Sequence, residues 1–151
     1  MKVVQGDLIA LALDGAFDVI VHGCNCHGTM GAGIAKAIAQ TFPEAQAADR
    51  ATPVGDRAKL GTISSAGVMR DGRRLTIVNA YTQFHWRGRG RKVDYGAIDA
   101  CFGEIADRFP EAQIGYPLIG AGLADGDWDE IAPIIARRLA GMDHTLVRFG
   151  P

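Results

Sequence analysis

The chain has 151 residues, of which 48% are hydrophobic and 22% are charged, and its formal net charge is -1. This composition is typical of a globular protein rather than a disordered one, and the length suits a single domain with a sizeable core over residues 1–151. A net charge so close to zero excludes a strong overall attraction to nucleic acid or to an anionic membrane.

Leader sequence, apolar runs and cysteine content all bear on the compartment. Met1 is not followed by a basic and then apolar leader, and no apolar run approaches about 18 residues, so neither export nor membrane insertion is indicated. The three cysteines, Cys24, Cys26 and Cys101, do not form the pattern of a disulfide framework. We therefore expect a cytoplasmic monomer in a reducing compartment, with no membrane partner.

Strand and helix patterns alternate in the first half of the chain. The predicted elements there are a strand at Val3–Gln5, a helix at Leu8–Leu13, a strand at Val19–His22 and a helix at Gly33–Phe42. Asp7 is suited to cap the first helix. In the second helix Ile34, Ile38 and Phe42 recur every four residues, which is the stripe of a core-facing helix, and Pro43 is expected to end it.

The second half continues the alternation. The predicted elements are a hairpin of strands at Leu60–Val68 and Leu75–Tyr81, a helix at Tyr95–Phe109, a strand at Ile114–Ile119, a helix at Trp128–Leu139 and a strand at Thr145–Phe149. Asp127 and Glu130 have the spacing of a capping box for the last helix, but Pro133 conflicts with a regular first turn. The pattern predicts an α/β domain with helices on both faces of a sheet, and the hairpin makes that sheet mixed.

Two glycine-rich segments follow buried strands and lead toward helices. They are Met30–Ile38 (MGAGIAKAI) and Ile119–Leu123 (IGAGL). Such turns expose N–H groups at the positive end of a helix dipole, and two of them could hold the two phosphates of a diphosphate. The spacing does not fit a dinucleotide-binding fingerprint, because Lys36 replaces its third glycine and seven residues separate Gly23 from Gly31. A purely structural turn stays open as the alternative.

Four motifs in chain order resemble those of a known family. They are Gln5–Leu8 (QGDL), Val21–Ile38 (VHGCNCHGTMGAGIAKAI), Ile77–Trp86 (IVNAYTQFHW) and Ile119–Trp128 (IGAGLADGDW). Together they resemble a macrodomain, the ADP-ribose-binding module, over almost the whole chain. The branch that looks most similar contains terminal ADP-ribose glycohydrolases, DNA-ADP-ribosyl hydrolase antitoxins and ADP-ribose-1''-phosphate phosphatases. The resemblance implies a three-layer α/β/α fold with a mixed central sheet and a crevice at the carboxyl ends of its central strands.

The resemblance also implies a set of ligand-binding residues and no metal or other cofactor. Asp7 and Leu8 are expected to contact adenine, and Phe149 lies where an aromatic ring stacks on it. The residues expected to surround the diphosphate and ribose are Gly31, Ala32, Gly33 and Ile34 in the first loop, and Gly120, Ala121, Gly122 and Leu123 in the second. The implied partner is ADP-ribose or one of its derivatives.

The implied reaction is hydrolysis of a group at C1'' of ADP-ribose, with His22, Asn25 and Asp125 as the candidate catalytic residues. Asn25 is expected to face the distal ribose, and His22 matches a histidine of phosphatase-type relatives, although a structural, hydrogen-bonded role for it stays open. Gln83 replaces the lysine of DNA- and glutamate-directed hydrolases, and an amide can be neither nucleophile nor cationic acid. A non-catalytic ADP-ribose reader is therefore an alternative.

Two other clusters suggest further partners. His22, Cys24, Cys26 and His27 crowd into six residues without a distant second pair, so a zinc site is not favoured. The basic stretch Arg87–Lys92 could follow a phosphate backbone. A nucleic-acid-directed ADP-ribosyl hydrolase stays open on that account, but a solvated loop is the favoured interpretation.

Overall fold

The structure is a computed structural model that describes residues 1–151. Six strands and five helices follow one another along the chain: β1 (Lys2–Gly6), α1 (Leu8–Leu13), β2 (Val19–Asn25), α2 (Gly33–Thr41), α3 (Pro43–Arg50), β3 (Ile63–Arg70), β4 (Arg73–Gln83), α4 (Tyr95–Arg108), β5 (Ile114–Tyr116), α5 (Trp128–Arg138) and β6 (His144–Phe149). A single 3-10 turn at Arg57–Lys59 precedes β3. None of the helices has the length and apolar character needed to cross a bilayer.

All six strands join one sheet in the order β1-β6-β5-β2-β4-β3. Neighbouring strands are parallel except for the β3–β4 pair, which is antiparallel and turns at Asp71 and Gly72. The prediction of a mixed sheet that contains a hairpin is thereby confirmed. Because β1, β6, β5, β2 and β4 all run in the same direction, their carboxyl ends meet at one edge of the sheet.

Helices cover both faces of the sheet, as predicted. Side chains of β2 alternate between two apolar clusters: Val19 and Val21 pack in the cluster that includes residues of α4 and α5, whereas Ile20 packs in the one that includes residues of α1, α2 and α3. This alternation is the period-two pattern of a strand buried on both faces. The result is the three-layer α/β/α arrangement that the sequence predicts.

The sequence pattern misses α3. Pro43 follows the end of α2, as expected, but it also begins the next helix, because proline is well suited to the first helical position. Glu44 in the first turn of α3 accepts hydrogen bonds from Arg70 on β3 at 3.0 and 2.9 Å. The helix is thus fixed against the hairpin, and Phe42 between the two helices is fully buried.

The start of α5 differs in detail from the prediction. Asp127 caps the helix by accepting from the N–H of Asp129 at 2.9 Å. The reciprocal half of a capping box does not form, because the N–H of Asp127 donates to the hydroxyl of Tyr95 at 3.1 Å rather than to Glu130. Pro133 lies inside the helix, which continues through it to Arg138.

Packing around β5 leaves no room for a side chain at Gly115, and this generates a stability prediction. A Cβ at Gly115 would lie 2.6 Å from Cε2 of Phe17, so Gly115→Ala should lower the free energy of unfolding by about 1–3 kcal/mol through overpacking. Gly67→Ala on β3 is the matched control, since a Cβ there meets nothing within 4 Å. Urea unfolding measures both. An equal effect of the two substitutions would show that the Phe17 ring moves aside freely.

Candidate ligand-binding cleft

A cleft of about 1020 Å³ opens at the edge where the parallel strands end. Each of the five parallel strands contributes its last residue, or the one after it, to the wall: Gly6, Phe149, Pro117, Asn25 and Gln83. The volume lies at the upper end of the range of about 300–1,000 Å³ for ligand pockets. This is the position at which open α/β sheets bind ligands.

The first glycine loop presents unpaired backbone donors to the cleft. No acceptor within the protein takes the N–H groups of Gly31, Ala32, Gly33 or Ile34, and the start of α2 has no side-chain cap. Gly33 has a φ of +57°, a left-handed conformation that glycine adopts without steric cost. Unpaired N–H groups at the positive end of a helix dipole form a site for an anion.

The second glycine loop faces the first across the cleft. Gly120 has a φ of +76°, and a Cβ there would lie 2.6 Å from Val93, whereas Gly122 points into open space. The N–H groups of Gly122 and Leu123 have no acceptor within the protein. A Cβ built on Gly33 would lie 3.3 Å from Cδ1 of Leu123, which shows how closely the two loops approach. Ala121 instead packs against the core and does not line the cleft.

One end of the cleft, here the Asp7 end, is formed by Asp7, Leu8 and Phe149. Oδ1 of Asp7 accepts from the N–H groups of Ile9 and Ala10 at 2.9 and 3.2 Å, which caps α1. The other carboxylate oxygen has no partner, and neither does the N–H of Leu8. One carboxylate can therefore cap the helix and accept a hydrogen bond from a ligand.

The opposite end, here the Gln83 end, is lined by polar side chains and one aromatic ring: Asn25, Thr29, Thr82, Gln83, Trp86 and Lys92. Nδ2 of Asn25 donates to the hydroxyl and the carbonyl of Thr29 at 2.8 and 3.1 Å, and its Oδ1 accepts from the N–H of His27. These bonds fix the amide orientation of Asn25 in the cleft wall. Oγ1 of Thr82 is buried without a hydrogen-bond partner.

His22 does not line the cleft, so the prediction that it touches a substrate has no geometric support. Its Nε2 lies 2.6 Å from Oδ1 of Asn79, and Nδ2 of Asn79 donates to the carbonyl of Ala45 on α3. The ring is therefore held on the face of the sheet that α3 covers. Burial lowers the pKa of His22 to about 4, so it is neutral at pH 7. Of the two interpretations of His22, the structural one fits this geometry.

Asp125 is also absent from the cleft wall. Its side chain is exposed, its φ is +59°, and its N–H donates to the carbonyl of Gly122 at 3.0 Å, which closes the turn of the second loop. Ala124, one residue earlier, is buried and lines the cleft. Of the three candidate catalytic residues, the fold brings only Asn25 to the cleft, and no carboxylate lies at the Gln83 end.

Trp86 and Lys92 are cleft residues that sequence reasoning did not assign. Trp86 belongs to an aromatic cluster in which it stacks on His85 at 4.4 Å and contacts the edge of His27, which also packs on Phe84. Trp86 is the last residue of the motif Ile77–Trp86, and this position could have identified it as a cleft residue.

No group of three or more His, Cys, Asp or Glu side chains is arranged to hold a metal ion. Cys24 and Cys26 are buried, as predicted for small packing residues.

The comparisons with known proteins agree with this architecture. The sequence profile of the Macro domain family matches residues 21–135, so the chain belongs to that family. An uncharacterized 17.5 kDa protein in the tk-vs intergenic region of Enterobacteria phage T4 is 33% identical over 156 residues, which cover 100% of this chain and 97% of that protein. An ADP-ribose 1''-phosphate phosphatase from Aspergillus oryzae is 51% identical over 45 residues, only 30% of this chain and 21% of the enzyme.

Solved structures show the same fold. A macrodomain protein from Streptomyces coelicolor has a TM-score of 0.74 at 29% identity, with 97% of each chain covered. The macrodomain of Mycobacterium tuberculosis DarG has a TM-score of 0.73 at 21% identity, covering 99% of this chain and 98% of that one. Thermosipho africanus DarTG, solved in complex with ADP-ribose, has a TM-score of 0.75 at 15% identity, covering 98% of this chain and 42% of that one.

The buried His22 predicts a specific dependence of stability on pH. Its pKa is about 4 in the folded protein and about 6.5 when unfolded, so between these values the unfolded chain binds more protons. Stability should therefore fall as the pH is lowered from 6.5 through 4, by up to about 3 kcal/mol from this residue.

His22→Gln, which keeps a donor for Asn79, should remove this part of the pH dependence. Urea unfolding of both proteins at pH 7, 5.5 and 4.5 measures the difference, while the other titrating groups are common to both. Curves that run parallel over this interval would contradict the prediction.

Proposed function

We propose that residues 1–151 form a single macrodomain that binds ADP-ribose and hydrolyses a group attached at its C1'' position. The observation that carries the proposal is the pair of glycine loops, whose unpaired N–H groups face each other across one cleft. Diphosphates are suited to such a site because every donor meets a negatively charged oxygen. Trypanosoma brucei has a macrodomain of the same fold, with a TM-score of 0.63, that was solved in complex with ADP-ribose.

The order of the strands orients the ligand in this proposal. Adenine occupies the Asp7 end, where the free oxygen of Asp7 accepts from its amino group, the N–H of Leu8 donates to the ring, and Phe149 stacks on its face. The diphosphate lies between the two glycine loops. The distal ribose and its C1'' atom then reach the Gln83 end, beside Asn25.

Catalysis in this proposal depends on the positioning of the substrate and a water molecule more than on a strong acid or base. Binding of adenine and diphosphate holds C1'' and a water molecule in a reactive geometry, which can supply a large part of a rate enhancement. Loop N–H groups that the diphosphate leaves free can stabilise negative charge that develops at the reacting end. Asn25 orients the ribose through the lone pair of its carbonyl oxygen that the N–H of His27 leaves free.

A reader that binds ADP-ribose without turnover is the second candidate. It is favoured by the absence of a histidine or carboxylate at the Gln83 end and by Gln83 in the place of a lysine. Incubation with ADP-ribose-1''-phosphate, with release of inorganic phosphate as the readout, separates the two candidates. Release of phosphate identifies an enzyme, and binding without release excludes a phosphatase and favours the reader.

Gly122→Glu tests the phosphate cradle. A side chain at Gly122 meets no protein atom within 4 Å, so the variant should fold, while its carboxylate fills the diphosphate position and repels the ligand. Titration calorimetry should show micromolar binding of ADP-ribose to the wild type, about −8 kcal/mol, and none to the variant.

Gly67→Glu is the control, because it adds the same charge at another open position on β3. Absence of binding to the wild type at millimolar ADP-ribose would overturn the proposed function. Normal binding to a folded Gly122→Glu variant would remove the second loop from the phosphate site.

Asp7→Ser tests recognition of adenine separately from the capping of α1. Serine retains a side-chain oxygen for the cap but loses the second carboxylate oxygen. We expect ADP-ribose to bind about 10- to 150-fold more weakly, the cost of a lost hydrogen bond to a charged group. Ribose 5-phosphate, which lacks adenine, should bind equally to both proteins in the same calorimetric assay. Equal weakening of the two ligands would show that Asp7 acts through the helix.

A further inference from the structure

Strand β1 lies at one edge of the sheet and is exposed on both of its faces. It pairs with β6 alone, and its residues Lys2–Gln5 are all exposed. Val3 and Val4, whose side chains point to opposite faces of the sheet, expose 56% and 39% of their surface. Strands in parallel sheets are normally buried on both faces, so the two valines form apolar surface that is available to a partner.

The opposite edge of the sheet is covered more fully. Helices α3 and α4 pack against β3, and Arg70 of β3 donates to Glu44 of α3 at 3.0 and 2.9 Å. β1, by contrast, packs extensively against β6 and against no helix. The open edge of this sheet is therefore the β1 edge.

One backbone hydrogen bond identifies the residues of β1 that face this open edge. The carbonyl of Gly6 accepts from the N–H of Gly150, which directly follows β6, at 3.3 Å, so Gly6 faces β6. The register of β1 with β6 is regular, and successive residues of a strand direct their N–H and C=O groups to alternate sides. Val4 therefore also faces β6, whereas Val3 and Gln5 present unpaired N–H and C=O groups to the open edge.

An antiparallel pairing with β1 of a second copy satisfies these groups when Val4 lies opposite Val4. Val3 of each copy then lies opposite Gln5 of the other. Because both residues face the open edge, each such pair exchanges both of its N–H···O=C bonds. Val4 meets its counterpart in the closer, non-hydrogen-bonded type of pair, with Cα atoms about 4.5 Å apart, where β-branched side chains pack well. The strand is thus self-complementary in its hydrogen bonds and its apolar surface.

The charges along β1 are compatible with this register. Lys2, the only charged residue of the strand, lies opposite Gly6 of the second copy and one position from Asp7 of that copy. One carboxylate oxygen of Asp7 has no partner in the chain, and the ion pair of Lys2 with Asp143 is exposed and contributes little. Lysine on an edge strand commonly prevents unwanted pairing, but in this register it meets an acid, and the two lysines lie at opposite ends of the paired strands.

We propose that β1 is a docking edge for a second copy of this chain, and that the two copies form a two-fold dimer in which their sheets join. Because the two β1 strands are antiparallel, the two clefts open at opposite edges of the joined sheet. Lys2 of each copy lies beside the Asp7 end of the other. The paired strands are short, so the dimer belongs to the weak complexes that bury less than about 1,200 Å². The expectation of a monomer came from the sequence, in which nothing distinguishes an edge strand from a central one.

Sedimentation velocity of the full chain between about 10 μM and 1 mM tests for this dimer. The sedimentation coefficient of the wild type should rise with concentration toward that of a dimer. Val4→Lys places two ammonium groups opposite each other at the two-fold axis, and Val4→Glu places two carboxylates there, so each variant alone should associate at least about tenfold more weakly. An equimolar mixture of the two variants should recover association, because a lysine then faces a glutamate.

Met69→Lys is the matched control, because Met69 is an exposed apolar residue on β3, the opposite edge strand. This variant should associate as the wild type does. Circular dichroism establishes that each variant is folded, and the substituted side chains are exposed in the native protein.

Cysteine crosslinking tests the register independently. Oxidised Val4→Cys should form a disulfide-linked dimer, since facing Cα atoms lie within the span of a disulfide. Val3→Cys should not, because Val3 lies opposite Gln5 and its own counterpart is two residues away. The native cysteines, all of which are buried, should not compete.

The outcomes are independent of ADP-ribose, so they leave the proposed function untouched. A wild type that stays monomeric up to about 1 mM overturns the proposal and leaves the edge to a strand of a different protein. Loss of association in Met69→Lys but not in Val4→Lys would also overturn it, since the interface would then lie at β3. Association beyond the dimer contradicts a closed two-fold pair. A mixture of the Val4 variants that stays monomeric, or crosslinking through Val3→Cys alone, refutes the register centred on Val4.

Discussion

The parallel alignment of β1, β6, β5, β2 and β4 is the constraint on which the rest of the molecule depends. Parallel strands require crossover connections, and here these connections place helices on both faces of the sheet and loops at one edge. The cleft wall is therefore built from successive βα connections and strand ends. These carry the two glycine loops, the carboxylate of the Asp7 end and the polar groups of the Gln83 end. The cleft is a consequence of strand direction, and its chemistry is set by the residue that follows each strand.

A buried polar layer behind the cleft holds two of these strand ends in place. Tyr81 donates to Asp49 at 2.7 Å, and Lys59 lies 3.6 Å from the same carboxylate, with both charged side chains almost completely buried. His22 and Asn79 continue the layer toward α3. Such groups are costly to bury unless every partner is satisfied, so the layer specifies one arrangement of α3 against β2 and β4. Within this layer His22, a candidate catalytic residue, is hydrogen-bonded to Asn79 and does not line the cleft.

Much of the fold and part of the site could be predicted from the sequence, because both are encoded locally. The glycine loops and the Asp7 end lie in short motifs whose backbone geometry is a property of the motif itself. The even spacing of Ile20 and His22 predicts that both side chains lie on one face of the strand, but only the structure shows that helices α1–α3 cover that face. The position of Lys92 could not be predicted from the sequence, because it depends on a hydrogen bond to Ala124, which is distant in sequence.

The rim of the cleft carries large apolar side chains that are partly or largely exposed. Phe149, Leu123 and Trp86 expose 87%, 73% and 39% of their surface. A ligand seated between the loops would bury part of this surface, although the ligand itself is highly polar. Burial of apolar surface produces a negative change in heat capacity. Association at this cleft should thus have an enthalpy that becomes more favourable as temperature rises. This signature is more often linked with apolar ligands than with nucleotides.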